Sequence, residues 1–309
     1  MKSQKYLRIV KWVWIIAVIL AGSYYLITNW DKMIQFFALV PKRNLFLSAF
    51  FLLLGKLCLV FLPKFSLEKE GFKLSYFQVF FIVTITQLGK YIPGGVWHFV
   101  GRYNAYQNQD ISIKKSTKAI LSENIWLLSG AIAVGTLFGL SSKLGHELLS
   151  SIKFPTQSTY LIIYGIVIFL FWIALLIIYE SFLNRKFPTI HLSSIIKLIS
   201  FQFVTWTFLG ISFLFIFPEF SMNIAPDVIF GYSISWAIGY VIVFAPGGIG
   251  IREGALVWIF SSLFITGDIL IYSTVHRFLY VAVEFIMGFF SLVARPSLIT
   301  KTNNNDLET

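Results

Sequence analysis

Apolar residues fall in nine runs along the chain, at roughly 9–28, 44–62, 74–89, 117–140, 158–179, 193–217, 227–244, 254–265 and 270–293. Several reach or approach the ~20 apolar residues that a helix needs to cross a bilayer core. Two depart from that pattern. The run at 254–265 would make a helix only ~18 Å long against a core of ~30 Å. The run at 74–89 is seeded with Ser75, Gln78, Thr84, Thr86 and Gln87. It then meets Ile92-Pro93-Gly94-Gly95 and the mixed stretch VWHFVGRYNAYQN.

The placement of Lys and Arg says how these runs thread. With every run a full crossing and the N-terminus in the cytoplasm, the loops hold about nine basic residues inside and ten outside, which is no bias at all. With 74–107 and 227–265 folded as hairpins that enter and leave on one side, the count becomes 14 inside and 5 outside. The five are Lys32, Lys42, Arg43, Lys143 and Lys153. The positive-inside rule therefore predicts two re-entrant hairpins and cytoplasmic N- and C-termini. Non-helical backbone at that depth is tolerated only when buried in protein or lining a wet cavity.

The second hairpin turns at VIVFAPGGIGIREGAL, and Pro93 and Pro246 are 153 residues apart. The same offset carries the run starting near 117 onto 270, and the run starting near 44 to within a few residues of 193. The chain thus reads as two copies of one unit, about 9–140 and about 158–293. Each holds two spans, a hairpin headed by Pro-Gly-Gly, and one span. Three full crossings per unit is an odd number, so the copies must lie in opposite orientations, the pattern of inverted-repeat transporters. The expected fold is an all-α polytopic membrane protein with about six full spans and two re-entrant hairpins. It forms a single membrane domain over 1–300, followed by a disordered tail, 301–309.

Composition agrees. Of 309 residues 57% are hydrophobic and only 13% charged, about half the charge of an ordinary soluble domain. The net charge of +11 lies mostly between apolar runs, where orientation and anionic headgroups account for it, and no nucleic-acid module accompanies it. The single Cys58 excludes an internal disulfide and a Cys-based metal site. The N-terminal apolar run exceeds the 7–15 residues of a signal-peptide core and is read as an uncleaved first span.

Candidate chemistry concentrates at the breaks. Proline and paired glycines end a helix, and the half-helix that follows points N–H groups and a positive dipole end into the protein. That arrangement binds anions. It makes Pro93, Gly94, Gly95, Pro246, Gly247, Gly248 and Gly250 candidates for cradling a phosphate or carboxylate. Lys90, Arg102 and Arg252 flank the breaks, and Arg277 and Glu284 lie in the last span. Charged groups in lipid are costly and should face the protein interior or a water-filled cleft. Glu123 and Glu253 supply carboxylates that would either pair with the arginines or carry a proton. The competing structural role is ion pairing, for example Arg252 with Glu284. His98, His146, His191 and His276 show no second ligand at helical spacing, so no metal is expected. No G-x-S-x-G element and no P-loop occur, so neither catalysis nor a cofactor is expected.

Ile92-Pro93-Gly94-Gly95 followed by Arg102, Ser122-Glu123-Asn124, and above all A-P-G-G-I-G-I-R-E-G-A-L at 245–256 resemble the flippase-like integral membrane family. That family is related to the transmembrane half of lysylphosphatidylglycerol synthases. The resemblance covers essentially the whole chain. It implies handling of an anionic phospholipid or a polyprenyl or glycolipid headgroup in a bacterial or archaeal cytoplasmic membrane. It carries over to Pro93, Gly94, Gly95, Arg102, Glu123, Pro246, Gly247, Gly248, Gly250, Arg252 and Glu253. Without the soluble synthase domain after Thr309, aminoacyl transfer is not expected. The alternative is a non-transporting accessory subunit that presents a lipid-linked sugar to a glycosyltransferase or another cell-envelope biosynthesis protein.

Overall fold

A computed structural model describes Ile27 and residues 30–91, 96–184, 192–218, 221–242 and 248–293. The first apolar run apart from Ile27, the segments holding Pro93, Gly94, Gly95, Pro246 and Gly247, and the tail 301–309 lie outside the described residues. Twelve α-helices occur among those described: α1 (Trp30–Leu39), α2 (Lys42–Leu59), α3 (Phe61–Lys69), α4 (Tyr76–Gln87), α5 (Trp97–Gln107), α6 (Ile113–Gly139), α7 (Lys143–Ser151), α8 (Ser158–Asn184), α9 (Leu192–Leu214), α10 (Ala225–Val241), α11 (Ile251–Phe260) and α12 (Thr266–Val293). Among the described residues six stretches are long and apolar enough to cross a membrane, and the protein is an all-α polytopic membrane protein.

The local starts and stops follow from the residues. Ser75 caps α4 by accepting the Gln78 N–H, and Gln78 reaches back to the Ser75 N–H at 2.8 Å, a reciprocal capping box. A 3-10 turn, Leu88–Tyr91, tightens the end of α4 just before the Pro-Gly-Gly segment. Pro226 sits in the first turn of α10, where its missing N–H costs no helical bond. The short helices α1 and α7 were not foreseen from the apolar runs, because each is only a few turns long. The mixed stretch after the first Pro-Gly-Gly is helical too, forming α5.

Close approaches at glycines fix the directions of the helices. A Cβ on Gly89 would lie 2.9 Å from the His98 backbone nitrogen, and one on Gly101 would lie 3.3 Å from the Thr86 side chain. Three residues back on one arm match three forward on the other, so α4 and α5 form an antiparallel hairpin. Gly239 likewise meets Arg252, and Gly231 meets Phe260, which makes α10 and α11 a second hairpin. Gln107 bonds Ser116 at 3.0 Å while Arg102 pairs with Glu123, so α6 runs back along α5. Gly135 and Gly139 then meet Ser233 and Phe230, so α10 runs against α6. It follows that the two hairpins enter the bundle in opposite senses.

The packing repeats under exchange of the two halves. The last helix of the first half, α6, packs on α10 of the second hairpin, and α12 packs on α4 of the first. At the centre α2 crosses α9, with Ser48 Oγ donating to the Ser212 carbonyl at 2.7 Å. This is the inverted arrangement that the 153-residue offset predicts. One detail differs from expectation: with Met222–Ile224 ahead of it, α10 is long enough by itself to span a membrane. It nevertheless ends beside Asn124, whose Oδ1 accepts the Tyr240 hydroxyl. That point is eleven residues into α6, or ~16 Å short of the start of that helix. On the other side Lys90 meets Glu284, eighteen residues into α12. The described arms of both hairpins therefore stop inside the bundle.

Opposed hairpins have a labelling signature. In a Cys58-free background, single cysteines at Lys73 and Asp110 are expected to react with an impermeant maleimide from one side of the membrane. Cysteines at Asn223 and Thr266 should react only from the other. Labelling of Lys73 and Asp110 from opposite sides would show that α4 and α5 together cross the membrane. Close packing gives a second expectation. Gly210→Ala puts a Cβ 2.8 Å from the Ile229 Cα, whereas Gly254→Ala meets nothing within 4 Å. Scanning fluorimetry in detergent should find the first destabilised by roughly 1–3 kcal/mol. The second should be unchanged or stabilised by up to ~1 kcal/mol, the helix-propensity gain.

Candidate functional site

The ends of both hairpins open onto one cavity of about 230 Å³. Its walls come from α2, α3, α4, the 3-10 turn, α5, α6, α10, α11 and α12. Seven residues expected at the site line it: Lys90, Arg102, Glu123, Gly248, Arg252, Arg277 and Glu284. They lie far apart in sequence, and only the opposed hairpins bring them together.

Glu284 is the hub of one wall. Its Oε1 takes an ion pair from Lys56 of α2 and another from Lys90 of the 3-10 turn, the latter at 2.6 Å, while the Tyr91 hydroxyl donates to Oε2 at 2.6 Å. The two lysines and the glutamate are all buried. Two ammonium groups on one carboxylate satisfy it fully, and the hydroxyl occupies its second oxygen. The expected Arg252–Glu284 pair is not formed, because the lysines reach Glu284 first from α2 and the hairpin.

Arg252 instead lies with its guanidinium 4.3 Å from the centroid of the Tyr232 ring and 5.6 Å from that of Tyr280. A flat, delocalised cation stacks well on an aromatic face. Among the described residues no carboxylate lies within ion-pair distance of it. Opposite, Arg102 of α5 pairs with Glu123 of α6 and also donates to Gln87 Oε1 at 3.3 Å. Arg102 Nε, Glu123 Oε2 and His98 Nδ1 are buried without a partner among the described residues, and all three residues line the cavity. Buried polar atoms left unpaired are costly, and this wall turns three of them toward the cavity.

Two expected site residues do different work. Gly250 has φ +82°, a left-handed conformation open to glycine at little cost, and it turns the chain into α11. Glu253, three residues on, accepts the Gly250 N–H at 2.7 Å. The carboxylate thus occupies the helix N-terminus that the sequence offered to an external anion. Neither residue lines the cavity. Gly248 does line it, with φ +71° and a Cβ position only 3.1 Å from the Gly239 carbonyl. Pro93, Gly94, Gly95, Pro246 and Gly247 lie outside the described residues.

Sequence reading missed Lys56, Tyr232 and Tyr280. The signal for Lys56 was present: a lysine in the middle of an apolar span is costly and calls for a partner. Tyrosines carry no such mark in a chain that is 18% aromatic. His276 is a packing residue, bonded to Ser212 Oγ at 2.9 Å and set edge-on to Phe213 and Tyr232. Among the described residues no group of three His, Cys, Asp or Glu is placed to hold a metal. A further pair, the exposed Lys69 with the buried Glu180, lies away from the cavity. There Trp126 Nε1 donates to Glu180 at 3.1 Å and ties α8 to the bundle.

Removing the acid from the Glu284 cluster leaves two buried lysines facing each other. Glu284→Gln is expected to destabilise the protein by roughly 3–5 kcal/mol. Adding Lys56→Met should recover part of that loss, so thermal unfolding of the two single variants and the double variant would show strong non-additivity. Additive losses would mean that Lys56 and Glu284 act separately.

Compared with known proteins, the chain matches no family model and no curated sequence. On its own helices and charge pattern it is an all-α membrane protein whose two hairpins enclose a basic cavity.

Proposed function

We propose that this protein handles an anionic lipid, holding its headgroup in the cavity between the hairpins and moving it from one leaflet to the other. The reading makes it a relative of the flippase half of lysylphosphatidylglycerol synthases, in a bacterial or archaeal cytoplasmic membrane with both termini cytoplasmic. One observation carries it. The walls of a single cavity come from both opposed hairpins and hold five cationic side chains, Lys56, Lys90, Arg102, Arg252 and Arg277, against two carboxylates, Glu123 and Glu284. Fixed positive charge away from bulk water favours a polyanionic partner, and arginine offers bidentate bonds to phosphate. Hairpins opposed about a central site also supply the two gates that alternating access requires.

The purified protein, reconstituted in liposomes with a fluorescent phospholipid, should accelerate leaflet exchange as read by dithionite quenching. Arg252→Gln should slow that exchange by about tenfold or more, the loss of one charge-assisted contact, with folded yield and melting temperature little changed. An equal fall in folded protein would assign Arg252 a structural role. No exchange by the native protein, together with stable co-purification of a glycosyltransferase, would replace the transport reading with the accessory-subunit one.

A further inference from the structure

The positive charge in the cavity is not spread evenly but is gathered around one ring. Lys56 Nζ lies 3.6 Å from the centroid of Tyr280, Lys90 Nζ 4.8 Å, and the guanidinium carbons of Arg252 and Arg277 5.6 and 5.9 Å. These four cations come from α2, the 3-10 turn, α11 and α12, so both halves of the molecule contribute. Tyr280 is buried and lines the cavity. Its ring quadrupole attracts cations but carries no net charge.

The charge balance around this ring is explicit. Glu284 is the carboxylate bonded there, and it is shared by Lys56 and Lys90. Glu253, next to Arg252 in sequence, is occupied at the Gly250 N–H. Glu123 is paired with Arg102 on the other wall. Lys56, Lys90 and Arg252 against Glu284 leave two positive charges over, before Arg277 is counted. The guanidinium of Arg252 cannot shed its proton. Uncompensated charges held together in a dry interior are strongly unfavourable, and an anion of matching charge relieves them.

We infer that the Tyr280 cluster selects a headgroup carrying at least two negative charges, a phosphomonoester or a diphosphate bridge, over a singly charged phosphodiester. The inference rests on the anionic-headgroup reading above and narrows it. A phosphomonoester carries close to two negative charges near neutral pH, and a diphosphate bridge between two alcohols also carries two. A phosphodiester carries one and leaves the cluster half compensated. The facing wall suits the larger anion, because Arg102 is only 7% exposed and its Nε has no partner among the described residues. Tyr280 is a positioning residue in this scheme: it gathers four cations from four elements onto one side of the cavity.

The test compares lipids on the native full chain in neutral detergent, with phosphatidic acid as the phosphomonoester and phosphatidylglycerol of the same acyl chains as the phosphodiester. Intrinsic tryptophan fluorescence or native mass spectrometry reads the binding. Phosphatidic acid is expected to bind about tenfold or more tightly, the effect of one additional charge-assisted contact. Arg252→Gln should shrink that ratio towards one, and Arg252→Lys should retain most of it. Inorganic pyrophosphate at millimolar concentration should displace bound phosphatidic acid. Equal affinity for the two lipids would overturn the dianion inference and leave the headgroup reading standing. Failure to bind either lipid or pyrophosphate would overturn both. Pyrophosphate binding without lipid binding would assign the cavity to a soluble anion and overturn the lipid reading alone.

Discussion

The architecture depends on one carboxylate. Glu284 accepts Lys56 from α2, Lys90 from the turn that closes the first hairpin arm, and the Tyr91 hydroxyl beside it. Three segments far apart in sequence, two from the first half and one from the second, meet at a group about the size of an acetate ion. Inside a bundle an ammonium ion without a counter-charge costs several kcal/mol, so neither lysine can be placed until α12 is in position. The hydrophobic effect brings apolar helices out of water but does not choose their register inside lipid. Polar contacts of this kind, with glycines that let backbones touch, select one arrangement among many of similar apolar packing.

The opposed hairpins follow from the same constraint. A helix broken by Pro-Gly-Gly exposes backbone groups that lipid cannot satisfy, so each break must be enclosed by neighbouring helices. Here the last helix of each half crosses to the hairpin of the other half, α6 on α10 and α12 on α4. That exchange makes the cavity a joint product of the two units. A single unit would present one broken helix with nothing to cover it.

Much of this was legible in the sequence, and the reason differs from part to part. The hairpins could be read from charge placement, because Lys and Arg in loops record the side on which each loop stays. The duplication could be read from two Pro-Gly-Gly breaks and a shared offset of 153 residues. Lys90, Arg102, Arg252, Arg277 and Glu284 stood out because charge in an apolar context is rare. Pairing was not legible. Which acid meets which base depends on side-chain reach across helices, and it was Lys56 rather than Arg252 that met Glu284. Nor could local sequence reveal that Glu253 turns back to cap α11, since a carboxylate three residues after a helix start serves equally well as cap or ligand. The aromatic platform was hidden for a simpler reason: Tyr280 and Tyr232 look like any other aromatics in a membrane helix.

The excess of cations around Tyr280 also has an electrical meaning. Every elementary charge carried through the full field of an energised membrane exchanges ~2.3 kcal/mol with that field per 100 mV. An empty cavity with surplus positive charge feels the field whenever the surrounding helices shift along it. A cavity filled by an anion of equal and opposite charge feels almost none. Charge matching at one ring would therefore let membrane voltage act mainly on the unloaded molecule and leave the loaded one to move as a neutral body.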